Sequence, residues 1–507
     1  FGPLGLASNT GVLRASGGDT GYLRYDTYAR VIDENHAVGY TAGDFITQAL
    51  PWSRSVRMGG VQASRAFRVR PDLVTMPLPT FAGETAVPTS VDLFVNGYRQ
   101  QSASVQPGRF VLDNIPVVNG AGQATIVTTD AVGRQISTTL PFYVSATLLK
   151  PGLLDFSAEV GALRRNYGLR NFDYGPTAAS GVARYGLLRS LTIEGHAEAA
   201  RGLGMAGLGV AWSPRRMGII TASAAASRTD ALSGSQWAVG YEYNTQRFSL
   251  AVQHEQRGGS YRDLGDFGTT SGSGARRMDR VIGGMSLGLS GSLSVAYFDG
   301  KTLGQPDSRI ATASYQRGLG RRATLLATID HDFERRSTGA QLRIAVPFGR
   351  NSVGGGVTYA DGRTRTEVDF ARSMPSQGGL GVDAGVAVDQ RGETFGQGTV
   401  TWRNNDVQVQ AGAATAAGQS SAWTSATGSI IAMDRSVFTA NRVSDAFAVV
   451  NTGQRGVGVF YENQRVGATD KRGRLFVPHV ISYQNATYAI DALALSADQV
   501  ADAVKLQ

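Results

Sequence analysis

The stretch from Gly152 to Asp434 constrains this chain most, because it is a long succession of alternating apolar and polar residues broken by turns. Trp237, Val239, Tyr241 and Tyr243 alternate with Ala238, Gly240, Glu242 and Asn244. Phe248, Leu250 and Val252 alternate with Ser249, Ala251 and Gln253. Successive strand side chains point to opposite faces, so each segment is a strand with one apolar and one polar face. In Arg363–Phe370 one face carries Arg363, Arg365, Glu367 and Asp369, while the other ends in Val368 and Phe370. One such strand also suits a soluble sandwich. About 18 in succession, centred from near residue 157 to near residue 428 with no helix between, read as a transmembrane β-barrel with a wet lumen. The spacing of roughly 16 residues per strand and turn accommodates the 9–11 residues that a tilted membrane strand needs. Charge facing lipid at mid-bilayer is costly, so Arg363, Arg365, Glu367 and Asp369 are expected to face the lumen.

Composition agrees with a barrel wall. Glycine supplies 65 of 507 residues, nearly twice the ordinary share of about 7%. Gly and Ala recur inside strands, as in Gly354-Gly355-Gly356 and Ala224-Ala225-Ala226. Small residues weaken a soluble sheet but suit crowded walls and bends. No apolar run is long enough for a membrane-spanning helix. A mean hydropathy of −0.13 is compatible with a barrel, half of whose residues face water. The absence of Cys rules out disulfides and Cys-ligated metals. The net charge of +9 is nearly all Arg, since Lys occurs only at Lys150, Lys301, Lys471 and Lys505. The Arg residues are scattered over strands and turns, with no basic arm or aromatic-studded groove, so no nucleic acid is expected as a partner.

Taken in order, residues 1–83 hold about four further strands. Residues 84–146 change character. Short strands are separated by Asn96-Gly97, Pro107-Gly108 and Asp130-Ala131-Val132-Gly133, which are turn formers. A compact β-sandwich is expected, with Val91, Leu93, Val95, Phe110, Leu112, Ile126 and Ile136 as its core. Strands that read as barrel precede and follow it, so the insert is placed to sit in the lumen and block it. Residues 147–435 continue the barrel. Residues 436–507 read as a small β-sandwich turning at Asp470-Lys471-Arg472-Gly473. One connection, about Arg257 to Arg277, is much longer than its neighbours, which by itself indicates a mobile extracellular loop.

Several stretches together carry a family resemblance. They are Gly43-Asp44-Phe45, the run Pro51-Trp52-Ser53-Arg54-Ser55-Val56-Arg57-Met58-Gly59-Gly60-Val61-Gln62, and the apolar strand Val91–Val95 ending in Asn96-Gly97. With them the chain resembles the fimbrial ushers of the bacterial outer membrane over nearly its whole length. The resemblance implies an all-β protein with a 24-strand transmembrane barrel, of which about 22 strands are present here. It also implies an internal plug domain at 84–146 and a periplasmic C-terminal domain at 436–507. The function implied is assembly and translocation of pilus subunits, with chaperone–subunit complexes and outer-membrane lipid as partners and no cofactor. Ushers carry a short helix after the plug that helps hold it, which makes Tyr261, Arg262 and Asp263 latch candidates. The chain starts at Phe1 and stops at Gln507, so a fragment lacking two strands, the N-terminal periplasmic domain and the last C-terminal domain is expected.

Enzyme signatures find no support. Gly284-Met285-Ser286-Leu287-Gly288 matches a hydrolase elbow but lies in an alternating strand. Gly202, Gly204 and Gly207 match a dinucleotide fingerprint but are followed by Val210-Ala211-Trp212 rather than a helix. Gly300-Lys301-Thr302 matches the end of a phosphate-binding loop, yet Val295 stands where its first Gly belongs. His36, His196, His254, His331 and His479 have no metal-ligand spacing. The chief alternative is a plugged nutrient receptor or other porin-like transporter, but a receptor's plug would precede its barrel. A lipid-hydrolysing barrel using Ser286 comes third.

Overall fold

In the computed structural model the described residues are all except 1–5, 15–20, 71–80, 86–88, 96–97, 106–107, 113–119, 130–134, 145–147, 189, 214–217, 231, 245–246, 268–274, 303–305, 321, 361, 376–377, 417, 434–435, 442, 444–445, 481–485, 492–504 and 507. For the strands between 71 and 147 the description covers backbone only.

The alternating segments become one antiparallel sheet of 23 strands. Leu6–Arg14, Gly21–Asp33, Val38–Ile46 and Arg57–Arg65 come first. Leu154–Arg164 then resumes the sheet by pairing with Arg57–Arg65, Val160 opposite Val61. Each following strand pairs with its predecessor, 18 strands in all from Leu154–Arg164 to Gln419–Met433. This is the series the alternation implies. Ser436–Ala440 adds one more short strand, Ser436 opposite Met433. Hydrogen bonding therefore keeps 436–440 in the barrel sheet, whereas the change of domain was expected at 436.

The two faces invert the arrangement of a soluble protein. Ser157, Glu159, Arg184, Thr192, Glu194, His196, Glu198 and Gln236 are buried, while Leu208 is 74% exposed and Val368 58% exposed. A sheet this large with a polar inner surface and an apolar outer one is a membrane barrel, because lipid replaces water outside while the lumen stays wet. Asp44, from the Gly-Asp pair, is buried on the inner face. It accepts from the Arg24 guanidinium, from Tyr174 Oη–H (2.6 Å) and from the Thr27 N–H (2.9 Å). Arg164 approaches Oδ1, the oxygen that also accepts from Tyr174, at 3.3 Å. One carboxylate thus ties the first strands to those after the insert.

The insert forms two small sheets. Phe81–Thr85 pairs with Gly108–Leu112, and Gln135–Val144, Gly120–Thr129, Thr89–Val95 and Tyr98–Val105 form a four-stranded sheet in that order. The first pairing draws Phe81 into the insert, so the boundary expected at 84 falls inside a strand. Val91, Leu93, Val95, Phe110, Leu112, Ile126 and Ile136 all lie on these strands, with Leu93 opposite Ile126. Beyond the barrel, Ala446–Asn451 pairs with Arg474–Val480. Gly458–Tyr461 lies between Gln464–Ala468 and Tyr488–Ile490, with Val457, Val459 and Val477 buried.

Candidate functional site

Two loops at the same end of the barrel fold over its inner face and meet there. The first, residues 47–56, joins Val38–Ile46 to Arg57–Arg65. Its neck is closed by the Thr47 N–H to the Val56 carbonyl (2.9 Å) and the Val56 N–H to Thr47 Oγ1 (2.9 Å). The second follows Phe248–Arg257 and contains the short helix Leu264–Phe267.

Apolar packing seats both loops. Leu50 and Trp52 from the first share a buried cluster with Tyr261 from the second and Val182, Met205, Ala225 and Ala238 from the wall. Leu264 joins a second cluster with Phe45, Met58, Leu163, Ala178 and Leu203. The wall makes room with glycine. A Cβ on Gly207 would lie 2.7 Å from the Trp52 ring, and one on Gly234 would lie 2.1 Å from the Tyr261 backbone nitrogen. Larger residues at these two positions would push the loops off the wall.

Polar contacts complete the closure. Trp52 Nε1–H donates to Glu194 Oε2 (3.1 Å), and Gln236 Nε2 donates to the Trp52 carbonyl (2.6 Å). The Leu264 N–H donates to Glu198 Oε2 (2.8 Å), and the Arg262 N–H to Ser227 Oγ (2.8 Å). The centre is Asp263, which is 2% exposed. It accepts from Arg54 Nε (2.8 Å) and from Arg257 Nη1 (3.3 Å), and Arg54 Nη2 also lies 2.6 Å from Asp266. Burial by itself pushes the Asp263 carboxyl up. The Arg54 and Arg257 guanidiniums outweigh that and hold it below its ordinary value. Burial, reinforced by Asp263, pushes the Tyr261 phenol up, so that ring stays neutral. A buried carboxylate clasped by two guanidiniums binds two loops firmly only while all partners are present.

The structure brings together Tyr261, Arg262 and Asp263 in different ways. Tyr261 and Asp263 are buried between the loops, whereas the Arg262 guanidinium turns back to the Gly259 and Tyr261 carbonyls (2.9 and 2.8 Å). Trp52 and Arg54 stand in the run that carries the family resemblance but have no role assigned by sequence, and Glu194, Glu198 and Gln236 are absent from that reading. Glu194 and Glu198 alternate with Ile193 and Ala197 in one strand, and that pattern is a signal that an acidic inner face was there to be found. Arg363, Arg365, Glu367 and Asp369 lie apart from the loops, on the face of their strand opposite the exposed Val368. Arg343 donates to Glu367 (2.7 Å) and to Asp369.

The chain resembles known proteins over most of its length. The family model of outer membrane usher proteins matches residues 55–505. The usher AfaC of Escherichia coli is 26% identical over 197 residues, covering 37% of this chain and 22% of AfaC. YehB of Escherichia coli K12, another usher, is 22% identical over 491 residues, covering 86% of this chain. The chain spans 58% of the length of YehB. Among solved structures, the E. coli P pilus tip assembly intermediate PapC-PapD-PapK-PapG superposes with a TM-score of 0.68 at 17% identity, covering 99% of this chain and 65% of that one.

Proposed function

The chain belongs to the outer membrane usher family, and from that premise we propose that it forms a plugged outer-membrane pore that assembles and translocates pilus subunits delivered by a periplasmic chaperone. The observation that carries this reading is the path of the insert. Residues between Arg57–Arg65 and Leu154–Arg164 leave and rejoin the sheet at two hydrogen-bonded neighbours, so the insert hangs from a single point on the rim. Its strand Gly120–Thr129 nevertheless lies against Phe248–Arg257 and Ala275–Ser286, six and seven strands further round the wall from Leu154–Arg164. A plug tethered at one side and reaching across the lumen would make this contact, which supports the reading. A barrel of about 22 strands has a lumen far wider than its own side chains fill, so a filler is needed at rest.

On this reading the two meeting loops are the latch, with Tyr261 and Asp263 joined by Trp52 and Arg54. Arg363, Arg365, Glu367 and Asp369 line the lumen. The unit from 441 onward holds the chaperone–subunit complex in the periplasm. Catalysis is not required. Each subunit lacks a strand, and the chaperone's donor strand is exchanged for the next subunit's extension, so folding drives transfer. A nutrient receptor is not favoured, because this insert lies within the barrel sequence rather than before it.

Deleting 81–146 and joining Thr80 to Thr147 with a short Gly/Ser linker removes the insert and no barrel strand. The variant is expected to conduct large steady currents in planar bilayers while the parent stays mostly closed. Normal insertion with no gain in conductance would sink the plug reading. Retention of a chaperone–subunit complex by the parent, lost on truncation after Asn441, tests the assembly role separately.

A further inference from the structure

The outer wall carries a feature that the pore does not use. A groove of about 490 Å³, lined almost wholly by apolar atoms, runs down the outward face between strands Ser292–Thr302 and Asn351–Ala360. Ala313, Ala327 and Ala340 form its floor, and Leu293, Ile329 and Leu342 its sides. The register puts Val295, Ala313, Ile329 and Ala340 in one row across four strands, and Val295 and Ile329 are exposed, so this is the lipid-side face.

Above the groove, toward the end bearing the two loops, the same face becomes charged. Arg309 is four residues above Ala313, about 13 Å along the strand. Its guanidinium stands 5.3 Å over the Phe333 ring and 3.3 Å from Glu334. Lys301 lies 3.6 Å from Asp307, and Arg277 lies 2.6 Å from Asp279 and 3.5 Å from Asp299. Side chains of these three cations are 44–53% exposed. The corresponding rows of other strands present Ala197, Ala199, Gly204, Ala206, Thr364 and Thr366. Arg228, opposite Gly204, is a further exposed cation on this face, but Arg277, Lys301 and Arg309 lie on three neighbouring strands where the groove opens.

We propose that groove and charged rim together form a binding site for a phosphorylated lipid of the outer leaflet, an acyl chain lying over Ala313, Ala327 and Ala340 with the phosphate displacing carboxylates at Arg309, Lys301 and Arg277. Exposed ion pairs of this length are weak and exchange readily, whereas phosphate oxygens accept two parallel bonds from a guanidinium. The leaflet follows from the proposed function above. The C-terminal unit leaves the barrel at the opposite end, so with that unit in the periplasm the charged rim is on the cell-surface side.

The test uses the whole chain folded in detergent micelles doped with a bisphosphorylated acylated disaccharide or its dephosphorylated counterpart, bound lipid being counted by native mass spectrometry. The parent should retain one phosphorylated lipid about tenfold better than the dephosphorylated one. Arg277→Ser with Lys301→Ser and Arg309→Ser should abolish that preference. Ala327→Trp fills the floor and should lose retention of both, while Ala222→Trp, on the outward face away from the groove, should behave as the parent. Ala340→Leu repeats the filling at a second position in case Ala327→Trp does not fold. Equal retention by the groove-filled variants and Ala222→Trp, or no phosphate preference in the parent, overturns the site. Neither outcome bears on the pore, since no conductance or assembly is read.

Discussion

Arg54→Ala is the sharpest test of the proposed latch. The substitution removes the 2.8 Å contact from Arg54 Nε to Asp263 and the 2.6 Å contact to Asp266. Asp263, 2% exposed, keeps Arg257 at 3.3 Å and the Asp266 N–H at 3.2 Å. Breaking one partner from a buried ion pair costs about 3–5 kcal/mol. The remaining guanidinium puts this case at the low end, about 3 kcal/mol, which shifts a docked-to-undocked ratio about 100-fold. Single-channel recording in planar bilayers reads that ratio as open probability. Adding Asp263→Asn to Arg54→Ala removes the stranded charge, so the double variant should open less often than Arg54→Ala alone. An Arg54→Ala channel as quiet as the parent would refute the argument. A double variant that opens more than the single would show that an orphaned carboxylate is not the cause.

Three further outcomes are expected. Gly234→Val places a side chain where the Tyr261 backbone lies, 2.1 Å from its nitrogen; overpacking costs about 1–3 kcal/mol, and frequent brief openings in a correctly folded barrel would register it. Asp263 is held below its ordinary value of 3.8 when docked, so its contribution to closure is complete above that pH and is lost as pH falls through the lower docked value; open probability should be flat from about pH 8 to 5 as far as Asp263 is concerned and rise only below about pH 4. Cysteines replacing Arg363, Arg365, Glu367 and Asp369 in the insert-deleted barrel should react with a membrane-impermeant thiol reagent, and labelling confined to Thr364, Val368 and Phe370 would reverse the assignment of faces.

The barrel strands are legible without the fold, because alternation is a property of neighbouring residues and a strand has a two-residue period. Leu154–Arg164 through Gln419–Met433 could therefore be counted without coordinates, and the face bearing Glu367 and Asp369 could be told from the face bearing Val368. The turn formers likewise marked an insert and a C-terminal unit. Where those units begin depends on long-range strand pairing. Phe81–Thr85 joins the insert because its partner is Gly108–Leu112, and Ser436–Ala440 stays in the barrel because it pairs back on Gln419–Met433. The proposed latch was half legible. Tyr261 and Asp263 stood in a conspicuously long loop, but Arg54 lies 209 residues away from Asp263, and Glu194 lies 142 from Trp52. Nothing local in a sequence states that a buried carboxylate must find its cation, or which one. That pairing is fixed when the sheet curls and brings the first strands to face the middle ones, and the free energy of desolvating Asp263 then admits only an arrangement with Arg54 and Arg257 in place.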